Sequence, residues 1–469
     1  MFIGRADEIA VLKQMVTQST PHVAVIYGRR RVGKTSLIRE ALGGVEKILF
    51  FEGLEEQSQM AQIDSFLFQL RQQVNIVPPE QKPKSWRECL ALLTPILRKE
   101  KYIVVFDEFQ WMANYRHTLV SDLKMIWDQY WSQSKIKGLI LCGSIASFMV
   151  RDVIKSKAFY GRIQTTIHLK ELTPGDVTKL LPRRSAEEKL LAMMHFGGIP
   201  LYLQHLNQYL SLSDAINQLC FKPNGYFVEE YQRIFLSHFG KSKHHMDIVE
   251  CLSQSPHGLS RMMMSKEIDV GLGGTLSANL DDLESAGFIT TYVPFDKPDN
   301  SRLRKYVLTD PYLNFYFAFI KPNLKQIKSQ NDKMFSSIQG SPAYYSWLGI
   351  AFEHYCIRNS GLLAKALGFD GINYRVGPYF KPRTLDTPGM QIDLLFDRSD
   401  QTLVVCEMKY SRTPIKLSVA KETERKIELL RETTRKTILP ILISNIEPSK
   451  ELAKSGYFYK TLRMDAISV

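Results

Sequence analysis

The stretch Gly28-Arg29-Arg30-Arg31-Val32-Gly33-Lys34-Thr35 constrains this chain more than any other. It fits the pattern G-x-x-x-x-G-K-[ST] at every position. The β-branched run HVAVIY precedes it and SLIREAL, with helical spacing, follows it, so the motif sits between strand and helix. A loop in that context turns its backbone N–H groups toward a phosphate chain, and the helix starting near Gly33 adds its positive pole. The pattern predicts an ATP and Mg²⁺ cradle built from Gly28, Arg29, Arg30, Arg31, Val32, Gly33, Lys34, Thr35 and Ser36. Lys34 is expected to reach the β/γ-phosphates and Thr35 to ligate the metal.

Three apolar runs downstream read as further strands: KILFFEGL (47–54), KYIVVFDEFQWM (101–112) and IKGLILCGSIASFM (136–149). A helical stretch around IDSFLFQLRQQV and a Pro-rich break, VPPEQKPKS (77–85), separate the first two. Strands alternating with helices imply a parallel sheet with its ligand at the carboxyl ends of the strands, where the loop and both later motifs fall. Asp107 is expected to hold Mg²⁺ through water, and Glu108 to polarise the attacking water. Ser144 is either a γ-phosphate sensor or a helix cap. Residues 151–235 read as helical, broken by Gly197-Gly198-Ile199-Pro200. Arg151 and Arg162 are candidates for a guanidinium that neutralises transition-state charge, against the commoner reading of surface arginines; Arg162 is assigned to the nucleotide.

A chain of 469 residues exceeds one core and predicts two to four domains. Its 61 basic and 48 acidic side chains leave a net charge of +13, a field that attracts polyanions and makes DNA the expected partner. A protein partner or a second copy is the other class. The six cysteines, Cys89, Cys142, Cys220, Cys251, Cys356 and Cys406, form no C-x-x-C pair, which argues against zinc ribbons and thioredoxin-like sites. The segment MFIGRADEIAVLKQ has no apolar signal region, and no stretch approaches 18 uncharged apolar residues, so a soluble cytoplasmic protein is expected, with no membrane contact.

Between about 240 and 320, HHMDIVECLS, SRMMMSKEI and GGTLSANLDDLESAGFI give three short helices, with Leu276, Leu280 and Leu283 at helical spacing. FITTYVPF and RKYVLTD then form a hairpin around DKPDNSRLR. Three helices and a β-ribbon look like a winged helix, a fold used both on DNA and as a protein-contact module. The acidic DDLE argues against simple phosphate contact by the third helix.

The last third carries a second constellation. GMQIDLLFD places Asp393 on one alternating strand, and TLVVCEMKYS places Glu407 and Lys409 on the next. Residues two apart share a strand face, so Glu407 and Lys409 point the same way, and Asp393 converges on them if the strands pair. Two carboxylates suit Mg²⁺ and the ammonium suits water or a charged phosphate, with Glu353 in the helical YYSWLGIAFEHYCIRN completing the metal site. The competing reading is a structural salt bridge.

FIGRADEIAVL, YGRRRVGKTSLI, VVFDEFQWM, GSIASFM, GGIPLYL, YVLTDPYLNFYFAFI and the paired IDLLF and CEMKYS occur in this order along nearly the whole chain. In these motifs the chain resembles an archaeal and bacterial family of P-loop ATPases within the AAA+/STAND division, whose members carry a C-terminal PD-(D/E)xK nuclease-like domain. The resemblance implies an α/β multidomain protein: a P-loop NTPase parallel sheet over 1–165, a helical lid over 166–238, a winged helix over 239–325 and a mixed α/β restriction-endonuclease-like domain over 326–469. It implies that Asp393, Glu407 and Lys409 are catalytic and that Glu353, Asp393 and Glu407 bind the metal, although Gln391-Ile392 replaces the motif's proline. The implied function is ATP-driven DNA handling in which nucleotide state controls a metal-dependent nuclease-like domain. The alternative is a STAND-type switch or scaffold that recognises a partner without cutting DNA.

Overall fold

Apolar runs long enough for strands but too short for most helices organise the first part of the chain. The computed structural model describes residues 2–74, 81–157, 159–239, 243–268, 271, 273–298, 300–329, 334–381 and 389–467. Residues 77–80 of the Pro-rich break and residue 299 of the predicted hairpin loop lie outside them. The chain divides into two compact units, residues 1–172 and 173–469.

In the first unit, β1 (His22–Tyr27), β2 (Ile48–Glu52), β3 (Ile103–Asp107), β4 (Gly138–Gly143) and β5 (Ile163–His168) form a parallel sheet in the order β2-β3-β4-β1-β5. β3 and β4 are buried along their whole length, as parallel strands covered on both faces must be. The helix Lys34–Ala41 buries Lys34, Leu37, Ile38 and Ala41, a single stripe at helical spacing. Helices Gln59–Gln73 and Trp86–Lys99 start at Ser58 and Ser85, whose side chains accept from Ala61 N and Glu88 N; each such cap contributes about 1 kcal/mol. Phe66 joins them to the sheet, stacking on Phe51 at 4.4 Å and meeting Trp86 edge-on at 5.8 Å.

β5 departs from the sequence expectation, which read residues 151–235 as helical. Its sequence IQTTIH carries β-branched threonines but no continuous apolar run, because it is an edge strand exposed on alternate residues beside β1. A boundary at 165/166 would cut this strand, and one at 325/326 would cut the helix Leu324–Lys328.

The second unit opens with the helices Pro174–Leu180, Ala186–Phe196, Pro200–Leu206, Leu212–Cys220 and Glu230–Phe239. Gly197 ends one of them at φ 70°, and Pro200 starts the next, where its missing N–H is harmless. Helices Lys243–Ser253, Arg261–Glu267 and Gly274–Ser285 follow, then the antiparallel pair β6 (Ile289–Tyr292) and β7 (Lys305–Leu308). Leu276, Leu280 and Leu283 are fully buried, and Leu259 bridges to Tyr306 of β7. Two of the three acids of DDLE have partners within this segment: Asp282 lies 3.5 Å from His245, and Glu284 accepts from Thr291 at 2.7 Å, whereas Asp281 is exposed.

After helix Pro342–Arg358 comes a mixed sheet of β8 (Tyr374–Lys381), β9 (Met390–Arg398), β10 (Thr402–Lys409), β11 (Thr437–Ser444) and β12 (Lys460–Arg463), in the order β12-β11-β10-β9-β8. β8, β9 and β10 are antiparallel neighbours, whereas β10, β11 and β12 are parallel. The β10 to β11 crossover is the helix Ser418–Arg431, which buries Ala420, Thr423, Ile427 and Leu430.

Candidate functional site

The phosphate-loop residues curl at the carboxyl end of β1. Gly28 has φ 154°, and a Cβ there would stand 2.2 Å from the carbonyl oxygen of Leu169, whose N–H bonds to Tyr27 O; any side chain would push the loop off the sheet. Arg31 and Gly33 are also left-handed, at φ 71° and 94°, a conformation that costs Arg31 about 1–2 kcal/mol. The buried Lys34 lies inside the curl, where Nζ donates to Gly28 O at 3.0 Å and Arg29 O at 3.1 Å. Arg30 grips Glu55 through two bonds of 3.1 and 2.8 Å, which raise its pKa, and Arg29 lies 3.7 Å from Glu171. Val32 is buried and Ser36 is exposed.

Thr35 Oγ1 donates to Asp107 Oδ2 at 2.6 Å, joining the start of the loop helix to the end of β3. A hydroxyl and a carboxylate oxygen meeting at one point form a donor set that fits Mg²⁺, a hard cation that prefers oxygen. Asp107 is almost fully buried, and its other oxygen accepts Glu108 N at 2.9 Å. Glu108 adopts φ 49° and ψ 45°, a left-handed turn that aims its carboxylate across the strand ends.

There the Glu108 carboxylate meets a partner that sequence reasoning missed. Ser144 Oγ donates to Glu108 Oε2 at 2.7 Å; Gln110 Nε2 donates to the same oxygen, and to Ser144 Oγ at 3.0 Å. Gln110 is completely buried and packs against Gly143, where a Cβ would lie 2.7 Å from Gln110 Oε1. A polar residue two places after the acids, in an otherwise apolar FQWM, was the available signal. Glu52 was also missed: it pairs in register with Asp107, and burial, then the Asp107 and Glu108 charges, raise its pKa.

The two arginines differ in place. Arg151 lies in the turn Met149–Ile154 after β4, paired with Asp152 at 2.8 Å. Arg162 precedes β5 at the level where β1 begins, whereas the loop leaves the end of β1, about 17 Å away along a strand. It bonds Asp128 at 2.6 and 2.8 Å. Its assignment to the nucleotide is therefore corrected: parallel pairing puts it at the wrong end of the sheet.

In the second unit, β9 and β10 pair with Cys406 opposite Leu394, which brings Asp393 beside Glu407. Met408 N donates to Asp393 Oδ2 at 3.1 Å. Glu407 is only 1 % exposed, and each of its oxygens meets an ammonium: Oε1 lies 2.8 Å from Lys409 Nζ as an ion pair without hydrogen-bond alignment, and Oε2 accepts from Lys426 Nζ at 2.8 Å. Burial, then the Asp393 charge, lift Glu353 to about 8; burial, then Glu407, raise Asp393. Burial opposes the Lys409 ammonium, but Glu407 and Asp393 outweigh it and raise its pKa.

Lys426 was not foreseen. Its signal was its spacing, three residues after Thr423 and four before Leu430, on the buried stripe of an otherwise highly charged helix. Among the described residues no three His, Cys, Asp or Glu side chains are disposed to hold a metal ion. Glu353, Asp393 and Glu407 thus do not fit the expected metal set in this arrangement, because lysines occupy both oxygens of Glu407.

Comparison with known proteins bears on the first site. The sequence model of a family described as "ATPase domain predominantly from Archaea" matches residues 2–206. An uncharacterized protein of Methanocaldococcus jannaschii is 26 % identical over 359 residues, 75 % of this chain and 76 % of the relative. An uncharacterized ATP-binding protein of the same organism is 40 % identical over 42 residues, 9 % of this chain and 71 % of that protein. The solved structure of a Walker-type ATPase of Pyrococcus abyssi aligns at TM-score 0.50 and 18 % identity, covering 67 % of this chain and 96 % of its own. The ORC2 protein of Aeropyrum pernix, in ADPNP–ADP complexes, aligns at 0.44 and 16 %, covering 72 % and 95 %. Residues 2–206 carry a P-loop ATPase domain of the archaeal type. Among the described residues no helix is long and apolar enough to cross a membrane.

Proposed function

We propose that this chain binds and hydrolyses ATP with Mg²⁺ and handles DNA, its nucleotide state controlling the C-terminal nuclease-like domain. The observation that carries the ATPase part is the meeting of Thr35 and Asp107 at 2.6 Å with Glu108 next in sequence. Bound Mg²⁺ would be held by Thr35 and Asp107 and would neutralise phosphate charge. Lys34 orients the β/γ-phosphates, and Glu108 accepts the proton of the attacking water. Ser144 and Gln110 both donate to one oxygen of the Glu108 carboxylate, so the other oxygen is the one left to take the proton.

The net charge of +13 supports the DNA part, as does the arrangement of three helices and a β-hairpin, read as a winged helix. A second reading, an ATP switch whose C-terminal domain recognises a partner without cleaving DNA, is favoured by one observation: Glu407 is neutralised by two lysines. Incubating the purified chain with plasmid and linear DNA, with Mg²⁺ or Mn²⁺ and with or without ATP, separates the two. Phosphate release abolished in Lys34→Ala supports the ATPase assignment, and release unaffected by that change overturns it. Nicking or cutting that Asp393→Asn abolishes selects the nuclease reading; intact DNA under every condition selects the switch.

A further inference from the structure

A carboxylate as buried as Glu407 requires compensating charge, either a metal or ammonium groups. Lys409 follows from strand geometry alone, two residues along the same face of β10. Lys426 does not. It reaches the cluster because the crossover helix lays Thr423, Ile427 and Leu430 on the sheet and so aims the side chain between them at Glu407. Its charge also acts on Asp393 and Glu353, favouring the ionised form of both.

Glu407 already carries two ammonium groups, one at each oxygen, and a divalent ion added there would put three cations in contact with one carboxylate, a repulsion that a buried site screens poorly. The Lys426 side chain is 25 % exposed, so its ammonium has a route to water when it leaves.

We infer that Lys426 is a tethered cation standing on Glu407 in the place a divalent ion would take beside Asp393, so that the cluster is complete without a metal until Lys426 withdraws. This holds or fails independently of the ATPase and DNA readings, because it concerns the chain without nucleotide or DNA.

The test is Mn²⁺ binding to the full nucleotide-free chain, followed by the paramagnetic resonance of free Mn²⁺, with melting curves as the folding control. Lys426→Met, which keeps the length and removes the charge, should bind one Mn²⁺ at least about tenfold more tightly than the parent, a change of about 1.4 kcal/mol. Lys426→Arg should show no gain, and adding Asp393→Asn to Lys426→Met should abolish it. Equal affinity in parent and Lys426→Met, a gain that survives Asp393→Asn, or a folded Lys426→Met that binds no Mn²⁺ would each overturn the inference. Should Lys426→Met fail to fold, Lys426→Gln is read by the same criteria.

Discussion

Thr35 Oγ1 and Asp107 Oδ2 are hydrogen-bonded at 2.6 Å although 72 positions separate the residues in sequence. The bond joins the phosphate-loop helix to β3 and brings together the two oxygens that suit Mg²⁺. Asp107→Asn keeps the shape and removes the charge that compensates the metal. It should reduce Mg²⁺-dependent ATP turnover on the order of 10²–10³-fold, the equivalent of several kcal/mol of lost charge stabilisation. Chelation of Mg²⁺ should reduce the parent to a similar level. Phosphate release that is indifferent to both would exclude Asp107 from the metal site.

Glu108 leads to a separable expectation, because its carboxylate lies beside Ser144 and Gln110 rather than in the loop that holds Lys34. Glu108→Gln should retain nucleotide and lower turnover by roughly 10²–10⁴-fold, the usual contribution of a positioned general base. Gln110→Leu releases one restraint on Glu108, and its effect should fall on single-turnover rate rather than on nucleotide affinity. Parental turnover in Glu108→Gln would assign the attacking water to another residue.

These residues differ in how openly the sequence announces them. The positions of Lys34, Thr35, Asp107 and Glu108 in the fold were legible because each ends or begins an apolar run, which marks where strand gives way to loop or helix. Gln110 and Lys426 were not, because their roles depend on contacts across strands or between a helix and a sheet, which spacing registers only as one polar residue on a buried stripe. β5 was read as helix because an edge strand lacks the continuous apolar signature of its neighbours. Arg162 was misplaced for the same reason: without β5, nothing in the sequence says which end of the sheet it occupies.

His195 ties acid stability to the second unit. It is fully buried, with Nδ1 at 2.6 Å from Leu191 O and Nε2 at 2.9 Å from Tyr344 OH, and burial lowers its pKa from 6.5 to about 4. A folded pKa below the unfolded one means that the unfolded chain binds the extra proton, so stability is fully present above pH 6.5 and declines as pH falls toward 4. The loss reaches on the order of 3 kcal/mol near the lower limit. His195→Gln, which cannot titrate, should flatten that part of the melting profile while lowering stability near neutrality. An unchanged slope between those pH values would assign the acid sensitivity elsewhere, for instance to His354, also buried and lowered to about 4.

The net charge of +13 leads to the prediction that bears most directly on DNA handling. Basic side chains that neutralise phosphates release condensed counterions, so affinity falls linearly on a double-logarithmic salt plot. A surface engaging about six to ten phosphates should lose roughly 10³–10⁵ in affinity for duplex DNA between about 50 and 200 mM salt. Fluorescence anisotropy with a labelled duplex, with and without ATP, measures that slope. Lys34→Ala lies in the nucleotide loop, so it should leave the nucleotide-free slope intact and remove only the difference ATP makes. If nucleotide state gates DNA engagement, the number of released ions should differ between the ATP and nucleotide-free forms of the parent and coincide in Lys34→Ala. Affinity that is undetectable at the lower salt, or that does not change across the range, would leave the excess charge without a polyanionic partner and would favour the switch reading.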